Sequence, residues 1–350
     1  MSNFSGGGKL QEPTFKELVF PYCGAQRPEL LAGPQYGVDV SLVQLPGGMA
    51  MAMTSDPLSL IPTLGLQESA WLSVHLMAND MATTSVAPMY AQLVLNLPPA
   101  LPAAAFKTYW LYIHQFCQEI GVAITGGHTG QAPGQQSTMA GGGTMVAIGQ
   151  EEQFLLSSFA QPGHQIIVTK EAALIATAIL ALSFPETVRQ RCGVDIYQHA
   201  CNLFYETSSL QAGLFAPGVE RAVSAMHDVT EGGVLGAIYE MAMASGCGAR
   251  IDRDLLAVGA VQGSVCAAFA IDPCYCVGAG SMVITAAPEN VPGVLQRLRD
   301  KGIAARVVGE MTPPGEGIRV CRATAKEEPV QPGTDPYWAA FYNAFEKGLK

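Results

Sequence analysis

At Gln161, Pro162 and Gly163 the chain stops and starts again. Upstream, VDVSLVQL (38–45), a turn at Pro46, Gly47 and Gly48, and MAMAMTSD (49–56) read as a hairpin. A helix is expected over 66–83, with Trp71, Val74, Met77, Ala78 and Met81 at helical spacing, then a strand over 92–97 and a second helix over 103–120 that Gly121 stops. VAITGGHTG (122–130) reads as a strand running into a glycine-rich loop, and TMVAIG (144–149) as the closing strand. Downstream the rhythm begins afresh. Strands at 165–170, 222–228, 281–286 and 303–311 alternate with helices at 172–182, 199–212, 232–245 and 291–301. After Pro313 the periodicity is lost. One core does not serve both halves of such a pattern, and 350 residues against roughly 100 to 200 per domain agrees. The expected organisation is a flexible, glycine-rich segment over 1–36, one α/β unit over 37–160 and a second over 161–350.

Only 14% of the residues are charged while 49% are hydrophobic, so the chain needs a large core or a subunit interface rather than a disordered, solvated state. The 19 basic and 29 acidic side chains leave a net charge of −10, which disfavours nucleic acid or an anionic membrane as a partner. A phosphate-bearing ligand must then be met locally, by metal ions or backbone amides. No uncharged run supplies the ~20 apolar residues of a spanning helix. The stretch 81–106 is uncharged but carries four prolines and Asn96. No basic segment precedes an apolar stretch at MSNFSGGGK, so a secretory signal is not expected and a cytoplasmic protein is. Nine cysteines without a CxxC pair agree, reading as scattered reduced thiols.

Four aspartates stand where strands end or helices meet Gly or Thr turns: Asp39 (GVDV), Asp56 (TSDP), Asp80 (ANDMAT) and Asp228 (HDVTEGG). Singly, each is an Asx turn or a helix cap. Jointly they offer the hard oxygen ligands that Mg²⁺ on a nucleotide phosphate requires. GGHTG (126–130) and HDVTEGG (227–233) share a design in which glycines let the backbone approach an anion while a hydroxyl and a helix N-terminus supply donors. Either is also an ordinary strand-to-helix turn using glycine for its positive φ. GGGK at the start lacks the Ser/Thr and the preceding strand of a Walker loop. Lys9 beyond it either folds over bound phosphate or stays in a solvated tail. His128 and His227 sit inside the glycine loops, whereas His75 and His114 lie within apolar helices.

SDP (55–57), the apolar helix ending AND (78–80) with Pro88 after it, GVAITGGHTG (121–130) and HDVTEGGVLGAIYEMA (227–242) carry a family resemblance. In this order and spacing they resemble the aminoimidazole ribonucleotide (AIR) synthase, or PurM-like, superfamily. Within it they are most similar to the HypE-type branch of hydrogenase maturation proteins and their AIR-synthase-related relatives. The resemblance covers 6–311. It implies an α/β (α+β) protein of two domains, the N-terminal mixed sheet pairing into a β-barrel across a homodimer and the C-terminal domain packing helices on a sheet. It implies Mg-ATP in a cleft beside that barrel, and transfer of phosphate to an amide, carboxamide, selenide or phosphate oxygen. Carried over by motif, Asp39, Asp56 and Asp80 would hold Mg²⁺. Gly126, Gly127, His128 and Thr129, with Asn79, Thr230, Gly232 and Gly233, would meet the nucleotide. His227 and Asp228, joined by Lys9, would serve at the phosphate end.

The departures bear on the reaction. HypE-type proteins carry their carbamoyl group on a terminal cysteine, whereas this sequence ends FEKGLK with Cys321 as its last cysteine, so dehydration on its own terminus is not expected. Val38 and Val40 flank a single acid where relatives often pair two, Thr54 stands where they often have a basic residue, and no cysteine accompanies Gly6 to Gly8 as the selenophosphate branch requires. The expectation is an ATP-dependent enzyme that activates an amide-like oxygen of a small-molecule or protein-bound acceptor. The alternatives are a small-molecule kinase of the thiamine-phosphate type and a non-catalytic, ATP-binding accessory protein.

Overall fold

The protein is described from a computed structural model over residues 9, 12–134, 139–322, 325–330 and 334–350. Helix α1 (Glu12–Leu18), a 3-10 turn at Phe20–Tyr22 and strand β1 (Leu30–Ala32) lie inside the stretch expected to be flexible. Local chemistry accounts for the difference. Lys16 pairs with Glu12 one turn earlier at 2.7 Å, Phe15 stacks on Phe20 at 5.5 Å, and β1 hydrogen-bonds to the next strand.

The first unit continues with β2 (Ser41–Leu45), β3 (Met49–Ser59), α2 (Leu66–Ala82), β4 (Tyr90–Leu97), α3 (Ala103–Glu119), β5 (Ala123–Gln131) and β6 (Ala140–Gln150). The sheet order is β1-β2-β3-β6-β4-β5, with only β4 and β5 parallel. Helices α2 and α3 cover one face: Val74, Met77, Met81, Tyr109 and Ile113 pack against Ala52, Leu93, Leu95 and Met145. Full burial of Met77 and Met81 contributes about 1.5–3 kcal/mol each. Gly143 on β6 leaves room for this packing, because an added Cβ would press against the Met77 sulfur at 2.5 Å and displace it. The opposite face is apolar too. Register places Val43, Met51 and Ile148 side by side, and next to them Met53, Val146 and Tyr90, none of which belongs to a core cluster.

The second unit contains β7 (Gln165–Thr169), α4 (Leu174–Ser183), α5 (Pro185–Cys192), α6 (Val194–Asn202), α7 (Leu210–Phe215), β8 (Ala225–Asp228), α8 (Gly233–Ser245), β9 (Gly248–Asp252) and α9 (Ala260–Ala268). It ends with β10 (Met282–Ala286), α10 (Val291–Asp300), β11 (Ala305–Thr312), β12 (Ile318–Arg322), β13 (Ala325–Pro329) and α11 (Pro336–Glu346). The sheet order is β13-β12-β9-β11-β7-β10-β8. Helix α8 packs Leu235, Ile238 and Met241 on one face, and Leu210 of α7 with Val294 and Leu298 of α10 pack on the other. The molecule is thus a mixed α/β, two-sheet protein.

Three expectations need correction. The helix expected over 199–212 is broken into α6, a 3-10 turn at Leu203–Glu206 and α7, because the Thr207 hydroxyl donates back to the Phe204 carbonyl at 2.6 Å and a side chain of α2 grips the next residues. VAITGGHTG is not a strand entering a loop: β5 runs unbroken to Gln131 along the sheet edge. Gly127 is needed there because a Cβ would collide with the Leu93 backbone of β4, beside a bulge between Ala91 and Gln92. Among the described residues after Pro313, regular structure continues as β12, β13 and α11.

Candidate functional site

Between the two sheets lies a cleft of ≈ 1170 Å³. Asp39, Asp56, Asp80 and Asp228 all line it, delivered respectively by the segment before β2, by β3, by α2 and by the end of β8. Strand β8 is buried on both sides, which explains why His227 and Asp228 are almost fully shielded. The His227 Nδ1 is 2.5 Å from Asp39 Oδ2, and its Nε2 is 3.1 Å from Glu240 Oε2 on α8. Burial alone would strip the proton from this ring, but Asp39 and Glu240 outweigh it and raise the pKa to about 10. His227 is therefore an imidazolium clasped by two carboxylates, and both of its nitrogens donate.

The other acids show what that clasp leaves over. Burial, with Asp39 next, pushes Asp228 up to about 8. Burial, against the pull of Lys9, moves Asp56 to about 6. Asp80 lies well above the ordinary carboxylate range through burial and the neighbouring Asp56, Asp228 and Asp39, although Thr54 Oγ1 donates to its Oδ2 at 2.7 Å. Both carboxylate oxygens of Asp228 are buried and have no hydrogen-bond partner among the described residues. Such an arrangement is costly for an unpaired anion and resolves on binding a cation. Ligand atoms of Asp39, His227 and Asp228 lie within 4.8 Å of one another. Because His227 offers donors rather than lone pairs, the oxygen atoms of Asp39 and Asp228, with Asp56 and Asp80 nearby, form the set that fits a hard divalent cation such as Mg²⁺.

Lys9 reaches this end of the cleft. Its backbone N–H donates to Glu231 at 2.5 Å, and its ammonium lies 3.3 Å from Thr230 Oγ1 and 3.4 Å from Glu240. Burial works against its charge, but Glu240, Asp39, Asp228 and Asp80 hold its pKa above the ordinary lysine value. Burial would likewise raise Glu240, yet Lys9 and His227 bring it down to about 2. Gly37 keeps Asp39 close to α8, because a Cβ there would overlap the Glu240 carbonyl.

Other sequence candidates fall elsewhere. Asn79 is fully buried, and its amide is committed to backbone: Nδ2 donates to the Thr207 carbonyl at 2.9 Å and Oδ1 accepts from Ser209 N at 2.7 Å. Gly126, Gly127, His128 and Thr129 occupy the exposed edge strand β5 and do not line the cleft within one chain. Gly232 N donates to Asp335 at 2.9 Å, so the anion held at this amide is the protein's own carboxylate. Gly233 is needed because a Cβ would meet the Cys274 and Cys276 carbonyls at 2.6 and 2.8 Å. Sequence reasoning missed Glu240 and the partnering role of Thr54. Glu240 lies on the same helix as the HDVTEGG loop, 13 residues from His227.

Residues 37–149 match the N-terminal domain, and residues 161–322 the C-terminal domain, of AIR synthase related proteins. The chain belongs to that family. A selenide, water dikinase of Methanococcus maripaludis is 26% identical over 304 residues, covering 80% of this chain and 85% of the relative. A carbamoyl dehydratase HypE of Rhizobium leguminosarum bv. viciae is 26% identical over 283 residues, covering 79% and 77%. Among solved structures, the hydrogenase maturation protein HypE in complex with ATP superposes with a TM-score of 0.70 at 18% identity, covering 95% of this chain and 98% of that one. Among the described residues, no helix is long and apolar enough to cross a membrane.

Proposed function

We propose that this protein binds Mg-ATP at the carboxylate end of the cleft and transfers the γ-phosphoryl group to an amide-like oxygen of an acceptor. The observation that carries the reading is the convergence of Asp39, Asp56, Asp80 and Asp228, with both oxygens of Asp228 buried and unpartnered among the described residues. Mg²⁺ there would neutralise charge on the phosphates; the chain's own part is to hold those carboxylates in place through the His227 clasp and to bring Lys9 alongside them. The solved structure of a HypE protein in complex with ATP and a relative named as a dikinase support the reading. Titration calorimetry with Mg-ATP, followed by measurement of ADP release with candidate acceptors, tests the reading. Equal ATP affinity in Mg²⁺ and in EDTA would refute it, and binding without turnover would favour an accessory role.

The same reading includes a homodimer through the outer face of the first sheet. Met51, Met53, Val43, Val146 and Ile148 form an apolar surface outside every core cluster, which suits a second copy of the same sheet.

A further inference from the structure

The cleft has two chemically distinct ends. Asp39, Asp56, Asp80 and Asp228 form one. The aromatic face of α11 forms the other, with Trp338, Phe341, Tyr342 and Phe345 in the lining and Ile61 and Ile179 clustered with Trp338 and Phe341. Tyr342 and Phe345 are 52% and 60% exposed, an unusual state for aromatic side chains on a cavity wall. Among the described lining residues Lys9 is the only basic one, and it is already engaged with Glu240. The aromatic end therefore carries nothing to neutralise an anion, while its ring faces suit a planar apolar group.

Two further facts say which ligand that group belongs to. A volume of ≈ 1170 Å³ exceeds the roughly 300–1,000 Å³ typical of a pocket for one drug-sized ligand, so a nucleotide leaves room for a second molecule. Helix α11 also lies beyond residues 37–149 and 161–322, the parts matched by the family. Relatives named for selenide and for carbamoyl chemistry differ in acceptor. A wall contributed from outside the shared domains is where such a difference would be built. Asp335, the N-cap of α11, accepts from both Tyr337 N and Gly232 N, so the helix is fixed against the loop that follows Asp228.

We propose that the aromatic end of the cleft is the acceptor subsite and that it takes an uncharged, planar aromatic body bearing an amide-like oxygen. The inference rests on the phosphoryl-transfer reading above. In that step the acceptor oxygen bonds to the γ-phosphorus, the bond from that phosphorus to the β,γ-bridging oxygen breaks, and ADP leaves with the electron pair.

The test uses the full chain with a non-hydrolysable Mg-ATP analogue present, and 2-naphthamide as the probe, compared with propionamide. Calorimetry should show 2-naphthamide binding at least tenfold more tightly than propionamide. Phe341→Ala should weaken it about tenfold or more. Tyr342→Ala and Phe345→Ala change exposed side chains and keep the fold testable should Phe341→Ala not fold; each should weaken it about threefold or more, with Mg-ATP affinity within twofold of wild type. Failure of wild type to prefer 2-naphthamide, or indifference of its affinity to these variants, overturns the proposal. If the variants weaken Mg-ATP instead, the aromatic wall seats the nucleotide base and the acceptor assignment is wrong. Loss of Mg-ATP binding in wild type would instead condemn the phosphoryl-transfer reading, and it is measured separately.

Discussion

His227 and Asp39 are 188 residues apart in sequence, and their side chains meet at 2.5 Å. One comes from the last turnless stretch of β8, the other from the segment leading into β2, so the clasp exists only when both sheets are assembled. Its imidazolium also fixes Glu240, which in turn faces Lys9.

The clasp has a mutational signature. Asp39→Asn leaves His227 with one carboxylate and removes a cation ligand, whereas Asp228→Asn removes a ligand and a buried carboxyl whose two oxygens have no partner among the described residues. Asp39→Asn is expected to lower stability by about 3–5 kcal/mol, the range for removing one partner of a buried charge pair. Asp228→Asn is expected to raise stability in EDTA while weakening Mg-ATP at least tenfold. Thermal melts paired with calorimetry check both, and a stabilised Asp39→Asn would contradict the account.

Metal and pH act on one set of groups. Asp56 and Asp228 have folded-state pKa values raised to about 6 and about 8, so each favours the folded protein in its protonated form. That advantage is fully present below about pH 4 and is lost as pH rises through the folded values. In EDTA the melting temperature should fall between pH 5 and pH 9, and added Mg²⁺ should recover more at pH 8 than at pH 5. A Mg²⁺ effect independent of pH would separate the metal from these carboxylates.

His75 works in the opposite direction. Burial, with Lys170 next, lowers its pKa to about 4, and its ring stacks on Trp71 at 3.7 Å with Nδ1 3.0 Å from Ser208 Oγ. A depressed histidine pKa means stability present above pH 6.5 and lost as pH falls toward 4, by up to about 3 kcal/mol. Wild type should lose this much more than His75→Gln between those limits. Parallel pH profiles of the two proteins would show that the ring does not titrate this way.

Removing the Asn79 side chain should leave the Thr207 carbonyl and the Ser209 amide unpaired in the interior. Asn79→Ala is expected to cost about 2–4 kcal/mol of stability, with Mg-ATP affinity within twofold of wild type at temperatures where both are folded. Chemical denaturation gives the first quantity and calorimetry the second. A large loss of affinity at intact stability would restore Asn79 to the nucleotide site.

Met51→Glu or Val146→Glu places a charge in the middle of the outer sheet face without touching the core cluster on the other side. Sedimentation should show a dimer for wild type and a monomer for either variant at the same micromolar concentration. A wild-type monomer would remove the interface from the account.

Much of this was legible in the residues. The hairpin turn at Pro46, Gly47 and Gly48, the apolar stripe of α2 and the restart after Gly163 are local signals, and they report local structure. The four aspartates line one cleft although they arrive from different settings, Asp39 from the segment before β2, Asp56 from within β3, Asp80 from within α2 and Asp228 from the end of β8. What escaped were effects of long-range pairing. Glu240 reads as one more polar residue on an apolar helix until His227 and Lys9 are brought to it. GGHTG has the composition of an anion loop, and the close strand packing of its Gly127 against the Leu93 backbone is not visible in that composition. Helix α11 did carry a start signal, Asp335 at the N-cap and Pro336 in the first turn, followed by aromatics four apart at Tyr337 and Phe341.

Trp71, His75 and Asn79 follow one another at four-residue intervals along α2, and they bond in turn to Thr207, to Ser208, and to Thr207 with Ser209. Gly213 continues the seam, since a Cβ there would overlap the Ala82 carbonyl. Asp80, immediately after Asn79, faces the cleft. The helix that presents a cleft carboxylate is thus riveted to the opposite unit along nearly its whole length. Jaw-like bending of one sheet away from the other is thereby closed off, and the cleft behaves as a fixed vise.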